Sequence, residues 1–199
     1  MNRINAMQDF WLYFQLGREH IADWQGYDHI LFVTALCLRY ILKDWKKVLI
    51  LVTAFTIGHS ITLALSVLNY INVPSDWIEF LIPVTIVITA LTNVLQPDAE
   101  PKKRVPLVYF FALFFGLIHG LGFSNYLKSL LGKGESIVNE LLAFNLGLEA
   151  GQLIIVAIVL LLTWLCVNAF KILRREYVLF MSGGIFGISL IMAIERFPI

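Results

Sequence analysis

Residues 137–165 read IVNELLAFNLGLEAGQLIIVAIVLLLTWL, an apolar stretch with two carboxylates and no basic residue. A helix needs about 20 mostly apolar residues to cross the hydrocarbon core of a bilayer. This stretch is longer than that, and it predicts a membrane-spanning helix. Five other stretches have the same character, so we expect an all-α, polytopic membrane protein. The six predicted spans lie near residues 27–42, 47–70, 77–95, 105–127, 137–165 and 177–195.

The composition of the whole chain agrees with this fold class. Of its 199 residues, 59% are hydrophobic and 15% are charged, and the mean hydropathy is +0.78. Soluble domains have about 45–50% apolar and about 25% charged residues. A net charge of +1 gives no sign of a nucleic-acid partner. We expect residues 1–199 to form one integral membrane domain that contacts the lipid bilayer, with small-residue faces that would permit a homo-oligomer.

The N-terminal region has a different pattern. Residues 8–20 mix aromatic and charged side chains, which predicts an amphipathic helix that lies at the membrane interface or is partly inserted. A basic segment followed by a clean apolar segment is missing there, so no cleaved signal peptide is expected. Cys37 and Cys166 lie inside apolar runs and are predicted to pack as small apolar side chains rather than to form a disulfide.

The distribution of basic residues predicts the orientation. Ten lysines and arginines fall in the first, third and fifth connections between spans, and five fall on the other side. Because basic residues are enriched in short cytoplasmic loops, the richer side should be cytoplasmic. Both termini would then face outward. In a bacterium this means the inner membrane with periplasmic termini.

The histidines of the chain are predicted to meet near the middle of the membrane. At about 1.5 Å per helical residue, His29, His59 and His119 lie about 15, 17 and 21 Å from the cytoplasmic ends of their spans. Asn145 would lie about 18 Å from that face, with Glu149 one turn deeper. Ionisable side chains in a bilayer usually face the bundle interior or a cavity. The sequence therefore predicts a layer of nitrogen and oxygen donors.

The first and fifth spans add polar groups to this layer. The segment 23–26 is predicted to be a break in the first span that brings His20 towards His29, with Asp28 at the start of the helix that follows. On the fifth span, Asn145, Glu149 and Gln152 form one polar stripe at i, i+4 and i+7.

These residue types are typical of a transition-metal site. Imidazole nitrogen with some carboxylate oxygen suits zinc, nickel, copper or iron. The predicted metal ligands are His20, Asp28, His29, His59, His119 and Glu149. The predicted neighbours that would orient these ligands through hydrogen bonds are Asn145, Gln152 and Glu79. The row Thr85, Thr89 and Thr92 is predicted to pack and to hydrogen-bond to the helix backbone.

Four ordered segments also resemble the HupE/UreJ family of small bacterial membrane proteins. They are HIADWQGYDHILF (20–32), TAFTIGHSITLAL (53–65), FFGLIHGLGF (114–123) and FNLGLEAGQ (144–152). The resemblance implies a nickel or cobalt permease associated with hydrogenase or urease maturation. It matches His20, Asp28 and His29 to the family's first motif, and His119 to its later His-Gly motif.

Two features of this chain differ from the usual family pattern. Seven residues rather than five separate His20 from Asp28, and Glu149 lies on the span after His119 rather than close behind it. Both features make the chain look closer to the broader second branch of the family.

Two functions of different classes follow from these residues. The first is a divalent-metal permease for nickel, cobalt or zinc, in which the ion enters past His20 and Glu79, binds at the midplane and leaves inward. The alternative is an intramembrane zinc hydrolase that acts on a lipid or membrane peptide from the outer leaflet. In that case Glu149 would be the general base and Ser60 would assist an oxyanion. A haem held by two histidines between the second and fourth spans is a third, weaker alternative.

Overall fold

The computed structural model describes residues 3–97, 105–130 and 137–198, and within these ranges the secondary structure is helical with no strand. The eight α-helices run over the following residues: α1 Arg3–Ile21, α2 Asp28–Cys37, α3 Trp45–Val67, α4 Ser75–Leu95, α5 Val105–Gly122, α6 Ser124–Leu130, α7 Ile137–Trp164 and α8 Arg174–Glu195. A short 3-10 turn, Leu42–Asp44, precedes α3, and a π-helical turn, Leu165–Ala169, follows α7.

Four helical segments of the described ranges are long and apolar enough to cross a membrane. They are Leu42–Val67, Ser75–Leu95, Ile137–Ala169 and Arg174–Glu195. A fifth crossing results if α5 and α6, which meet at a bend of 48°, count as one span. Large apolar side chains are exposed on these helices, for example Ile154 and Phe180. Because such surfaces are stable against lipid and not against water, the chain is a membrane protein.

Two predicted spans differ from the structure: the fourth, 105–127, is divided by the bend between α5 and α6, and the first differs more. In place of a helix over residues 27–42, the structure has α2, which is only 10 residues long. Such a helix is about 15 Å long, roughly half of the hydrocarbon core. After Cys37 the chain turns, and Arg174 at the start of α8 donates a hydrogen bond to the Arg39 carbonyl. The predicted helix was therefore too long, because the apolar side chains continue beyond the point where the backbone turns.

Helix α1 lies parallel to the first half of α7. The two backbones are in contact at two glycines. A side chain at Gly17 of α1 would overlap the carbonyl of Phe144, and a side chain at Gly147 of α7 would overlap the carbonyl of Phe14. At its end, α1 reaches only the level of Gly151, about the middle of α7. The predicted amphipathic segment, residues 8–20, is thus part of a longer helix that stops halfway along its neighbour.

The other long helices also associate in pairs, and α2 lies among them. Helices α3 and α5 run parallel, with Gly116 against the carbonyl of Phe55. Helices α4 and α8 run antiparallel, with the ring of Phe80 5.2 Å from that of Phe197. Asn93 of α4 donates a hydrogen bond of 2.7 Å to the carbonyl of Ala35 near the end of α2. Earlier in α4, Thr85 contacts His119, which lies against His29 at the start of α2, so α2 runs parallel to α4.

The two ends of this bundle can be named from its helices. We call the end with Ser75 and Glu195 the upper end, and the end with Trp45 and Arg174 the lower end. Among the basic residues used for the orientation, Lys102, Lys103, Arg104 and Lys133 lie outside the described residues. Both cysteines are free thiols, Cys37 buried and Cys166 half-buried.

Candidate metal centre

The four histidines of the chain come together from four different helices. His20 lies in the last turn of α1, His29 in the first turn of α2, His59 in the middle of α3 and His119 near the end of α5. The ring centroids are 4.7 Å apart for His20 and His29, and 5.0 Å for His29 and His119. His20 and His59 are 6.1 Å apart. His20 and His29 come close together because α1 ends at Ile21 and α2 begins at Asp28, so that both helix ends lie inside the bundle.

Three of these histidines form a group that is compact enough for one ion. Ligand nitrogens of His20, His29 and His59 all lie within 4.8 Å of one another. A tetrahedral ion with bonds of about 2.1 Å spaces its nitrogen ligands about 3.4 Å apart. The distances between the ligand nitrogens would therefore shorten by at most roughly 1.4 Å when an ion binds, and small rotations of the rings allow this.

The nitrogens of this group are buried and have no hydrogen-bond partner among the described residues. This holds for Nε2 of His20, Nε2 of His29 and both ring nitrogens of His59. Buried polar atoms are nearly always paired, so a cluster of unpaired ones requires an explanation. Lone pairs that converge on one point are what a transition-metal ion binds, and the donor set fits such an ion.

His119 lies beside the group with a partner of its own. Its Nε2 lies 3.0 Å from Oγ1 of Thr85 on α4, and its Nδ1 is buried and unpaired among the described residues. Thr89 and Thr92 donate hydrogen bonds to the backbone of their own helix, as the sequence predicted, whereas Thr85 also reaches His119. Its position at the depth of His119 was the signal in the sequence that could have indicated this contact.

Asp28 contacts His29 rather than the point at which the nitrogens converge. Its Oδ1 accepts a hydrogen bond of 2.9 Å from the backbone N–H of His29 and lies 3.1 Å from Nδ1 of that ring. Its Oδ2 lies 3.2 Å from Nη1 of Arg196, just beyond the end of α8. A carboxylate on one ring nitrogen fixes the tautomer of a histidine and leaves the other nitrogen as the metal ligand. With Nδ1 of His29 beside Asp28, the ring nitrogen that remains without a partner among the described residues is Nε2.

The polar stripe of α7 mostly faces α3. Oε1 of Glu149 accepts a hydrogen bond of 2.7 Å from Thr53, and Oε1 of Gln152 accepts one of 2.8 Å from Thr56. Asn145 donates to the carbonyl of Leu141, and its buried Oδ1 has no close hydrogen-bond partner among the described residues, although the side chain lies next to His59. The structure therefore joins Glu149 and Gln152 to threonines and does not bring Glu149 into the nitrogen group.

The remaining predicted site residues lie further out. Ser60 donates a hydrogen bond of 2.7 Å to the carbonyl of Thr56 on its own helix. Glu79 is exposed on α4 and lines a cavity of about 1400 Å³ that also reaches His20, Asp28 and His29. The cavity opens around the break between α1 and α2. It continues downward along the uncovered half of α7, where its walls are apolar.

Aromatic rings close the side of the histidines that faces the lower end. The rings of Phe32 and Phe55 lie 5.0 and 5.2 Å from His119, and Phe115 lies 5.8 Å from Phe32. All three phenylalanines are buried. His20 and His29 are thus reached from the cavity, and an apolar layer lies directly below the histidines.

Comparison with known families identifies the chain. A family model described as HupE / UreJ protein matches residues 1–196, a range that contains all four histidines. The chain belongs to the HupE/UreJ family. This family is associated with nickel and cobalt transport or with accessory roles in it. No curated protein and no solved structure matches the chain.

Proposed function

We propose that this HupE/UreJ protein is a permease for a divalent transition-metal ion, with nickel or cobalt as its first substrates. The observation that carries the proposal is the group of buried, unpaired imidazole nitrogens beside a cavity that reaches His20 and His29. His20, His29 and His59 would bind the ion, and His119 would complete the coordination after a small ring movement. Late first-row ions share this preference for imidazole, and the family association favours nickel and cobalt among them.

The upper end of the bundle would face the outside of the cell. This assignment places most of the basic residues on the cytoplasmic side and both termini in the periplasm of a bacterial inner membrane. The broken pair α1 and α2 would together make the sixth crossing, with the break at the level of the metal centre. An incoming cation would pass the carboxylates of Glu79, Glu19 and Asp23 on the cavity wall before it meets His20.

The release of the ion would require the aromatic layer to open. Phe32, Phe55 and Phe115 lie on α2, α3 and α5, so a relative movement of these helices would part the rings. Apolar constrictions of this type exclude hydrated ions until they widen. In this proposal, the described arrangement of the aromatic rings would correspond to a state in which the ion cannot yet pass to the cytoplasm.

The hydrolase alternative gains no support from the described residues. Glu149 accepts a hydrogen bond from Thr53, and Ser60 donates one to its own helix, so neither is directed at the nitrogen group. The family association also concerns metal handling rather than hydrolysis.

The proposal is tested by uptake of radioactive cobalt or nickel into proteoliposomes. We expect wild type to take up the ion and His59→Ala to reduce the initial rate by at least about ten-fold, because one ligand is lost. Thr92→Ala, on the exposed face of α4, is the matched control and should transport like wild type. Equal uptake by wild type, His59→Ala and empty liposomes would refute the permease proposal.

A further inference from the structure

Arg196 is the one cation that the structure places in contact with the polar groups of the metal centre in the described ranges. Its guanidinium lies 3.2 Å from Oδ2 of Asp28, whose other oxygen lies against His29. Asp28 is nearly buried, with a side chain 10% exposed, whereas the Arg196 side chain is 33% exposed and lines the cavity. From the sequence, this arginine could be counted only among the basic residues that predict the orientation, because it lies 168 residues from Asp28.

We propose that Arg196 is a tethered cation that weakens the hold of the metal centre on its ion. This inference rests on the proposed function and deepens it. Asp28 attracts a dication bound to His29 through the ring, and the positive charge of Arg196 opposes that attraction. When Arg196 is present, its charge offsets that of Asp28, and the bound ion is attracted only weakly. Without Arg196, the full negative charge of Asp28 would attract the ion.

The reason for such a group lies in the task of a transport site. Three or four imidazoles in a low-dielectric environment bind late first-row ions tightly, and a permease must also release them. A fixed positive charge next to the orienting carboxylate lowers the affinity without removing a ligand. Its exposed side on the cavity wall lets the guanidinium move away from Asp28 while Asp28 keeps its contact with His29.

The test is the affinity of the purified full-length protein for Co²⁺ in detergent, measured by titration calorimetry. We expect Arg196→Gln to bind Co²⁺ more tightly than wild type by roughly five-fold or more, at the low end of typical coupling between two sites. Arg196→Lys keeps the charge and should stay within about two-fold of wild type. Arg175→Gln makes the same change in net charge at the opposite end of α8 and should also leave the affinity unchanged.

A second measurement distinguishes this role from a structural one. In proteoliposomes, Arg196→Gln should transport more slowly at saturating Co²⁺, because tighter binding slows release. A merely structural defect would weaken binding and transport together, and that result would overturn the proposal.

Other outcomes separate this inference from the proposed function. Unchanged or weaker binding by Arg196→Gln, with wild type binding normally, would refute the tethered cation alone. If Arg196→Gln does not fold, Arg196→Met is the substitute, and failure of both to fold would assign Arg196 a structural role and refute the inference. Absence of Co²⁺ binding by every protein, wild type included, would refute the metal centre itself.

Discussion

Two polar regions lie side by side in the interior of this bundle, and they differ in how their atoms are paired. Between α3 and α7, Thr53 pairs with Glu149 and Thr56 pairs with Oε1 of Gln152, which leaves only the buried Nε2 of Gln152 without a partner in this pair of contacts. In the histidine group, ring nitrogens from three helices lie within 4.8 Å of one another and have no hydrogen-bond partner among the described residues. Hydrogen bonds such as those of the two threonines join helices in a membrane. Unpaired ring nitrogens that lie close together instead indicate a site for a ligand.

The largest expected effect of a single substitution is at His29, the histidine that contacts both His20 and His119. His29→Ala should lower the affinity for Co²⁺ by more than about 100-fold, because loss of a ligand exceeds the 10- to 100-fold cost of losing an orienting partner. Titration calorimetry on detergent-solubilised protein measures this. Gln152→Leu, in the paired region, is the control and should bind like wild type; equal losses in both variants would erase the distinction between the regions.

A smaller effect is expected at Asp28, which orients His29 without joining the nitrogen group. Asp28→Asn should weaken Co²⁺ binding by about 10- to 100-fold, because the ring is then held less firmly and an anion is lost. Competition with a metal-sensitive dye gives the dissociation constant. An unchanged constant would show that the contact of Asp28 with His29 plays no part in binding.

Thr85 should have a weaker influence still. Thr85→Val removes the hydroxyl 3.0 Å from Nε2 of His119, a histidine at the border of the group. We expect the Co²⁺ affinity to fall by less than about ten-fold, the lower limit for an orienting partner. The same dye competition applies. A loss of affinity as large as that of His29→Ala would indicate that His119 binds the ion as strongly as His20, His29 and His59.

The smallest effect on binding is expected at Glu149, which the sequence predicted as a ligand. Glu149→Gln keeps an oxygen for Thr53 and should change the Co²⁺ affinity by less than about two-fold. Thr53→Val should instead lower the free energy of unfolding by about 0.6–1.7 kcal/mol, the range found for hydrogen bonds between membrane helices. A loss of binding of ten-fold or more in Glu149→Gln would move Glu149 into the metal centre and contradict the comparison of the two regions.

Much of this architecture could be predicted from the sequence because lipid imposes simple requirements on it. Long apolar stretches give the helices α3, α4, α7 and α8, and the scarcity of histidine in such stretches directs attention to His59 and His119. The four segments that resemble the HupE/UreJ family also predicted the membership that the family model shows.

The rest depends on contacts between residues that are distant in the chain. Hydropathy continues through residues 38–42, so the end of α2 at Cys37 depends on the turn that Arg174 stabilises from α8. The depth of a residue does not tell which way it faces on its helix, and this is why Glu149 was grouped with the histidines although it faces Thr53. Arg196 meets Asp28 only because α8 ends beside the start of α2.

X-ray absorption spectroscopy of the Co²⁺-loaded wild-type protein shows whether histidine nitrogens bind the ion, because it counts the ligands of the bound ion. We expect at least three nitrogen ligands at about 2.0–2.1 Å with the outer-shell scattering of imidazole rings. The nitrogen count should fall by one in His59→Ala. A shell of oxygen atoms alone, without imidazole scattering, would contradict the account.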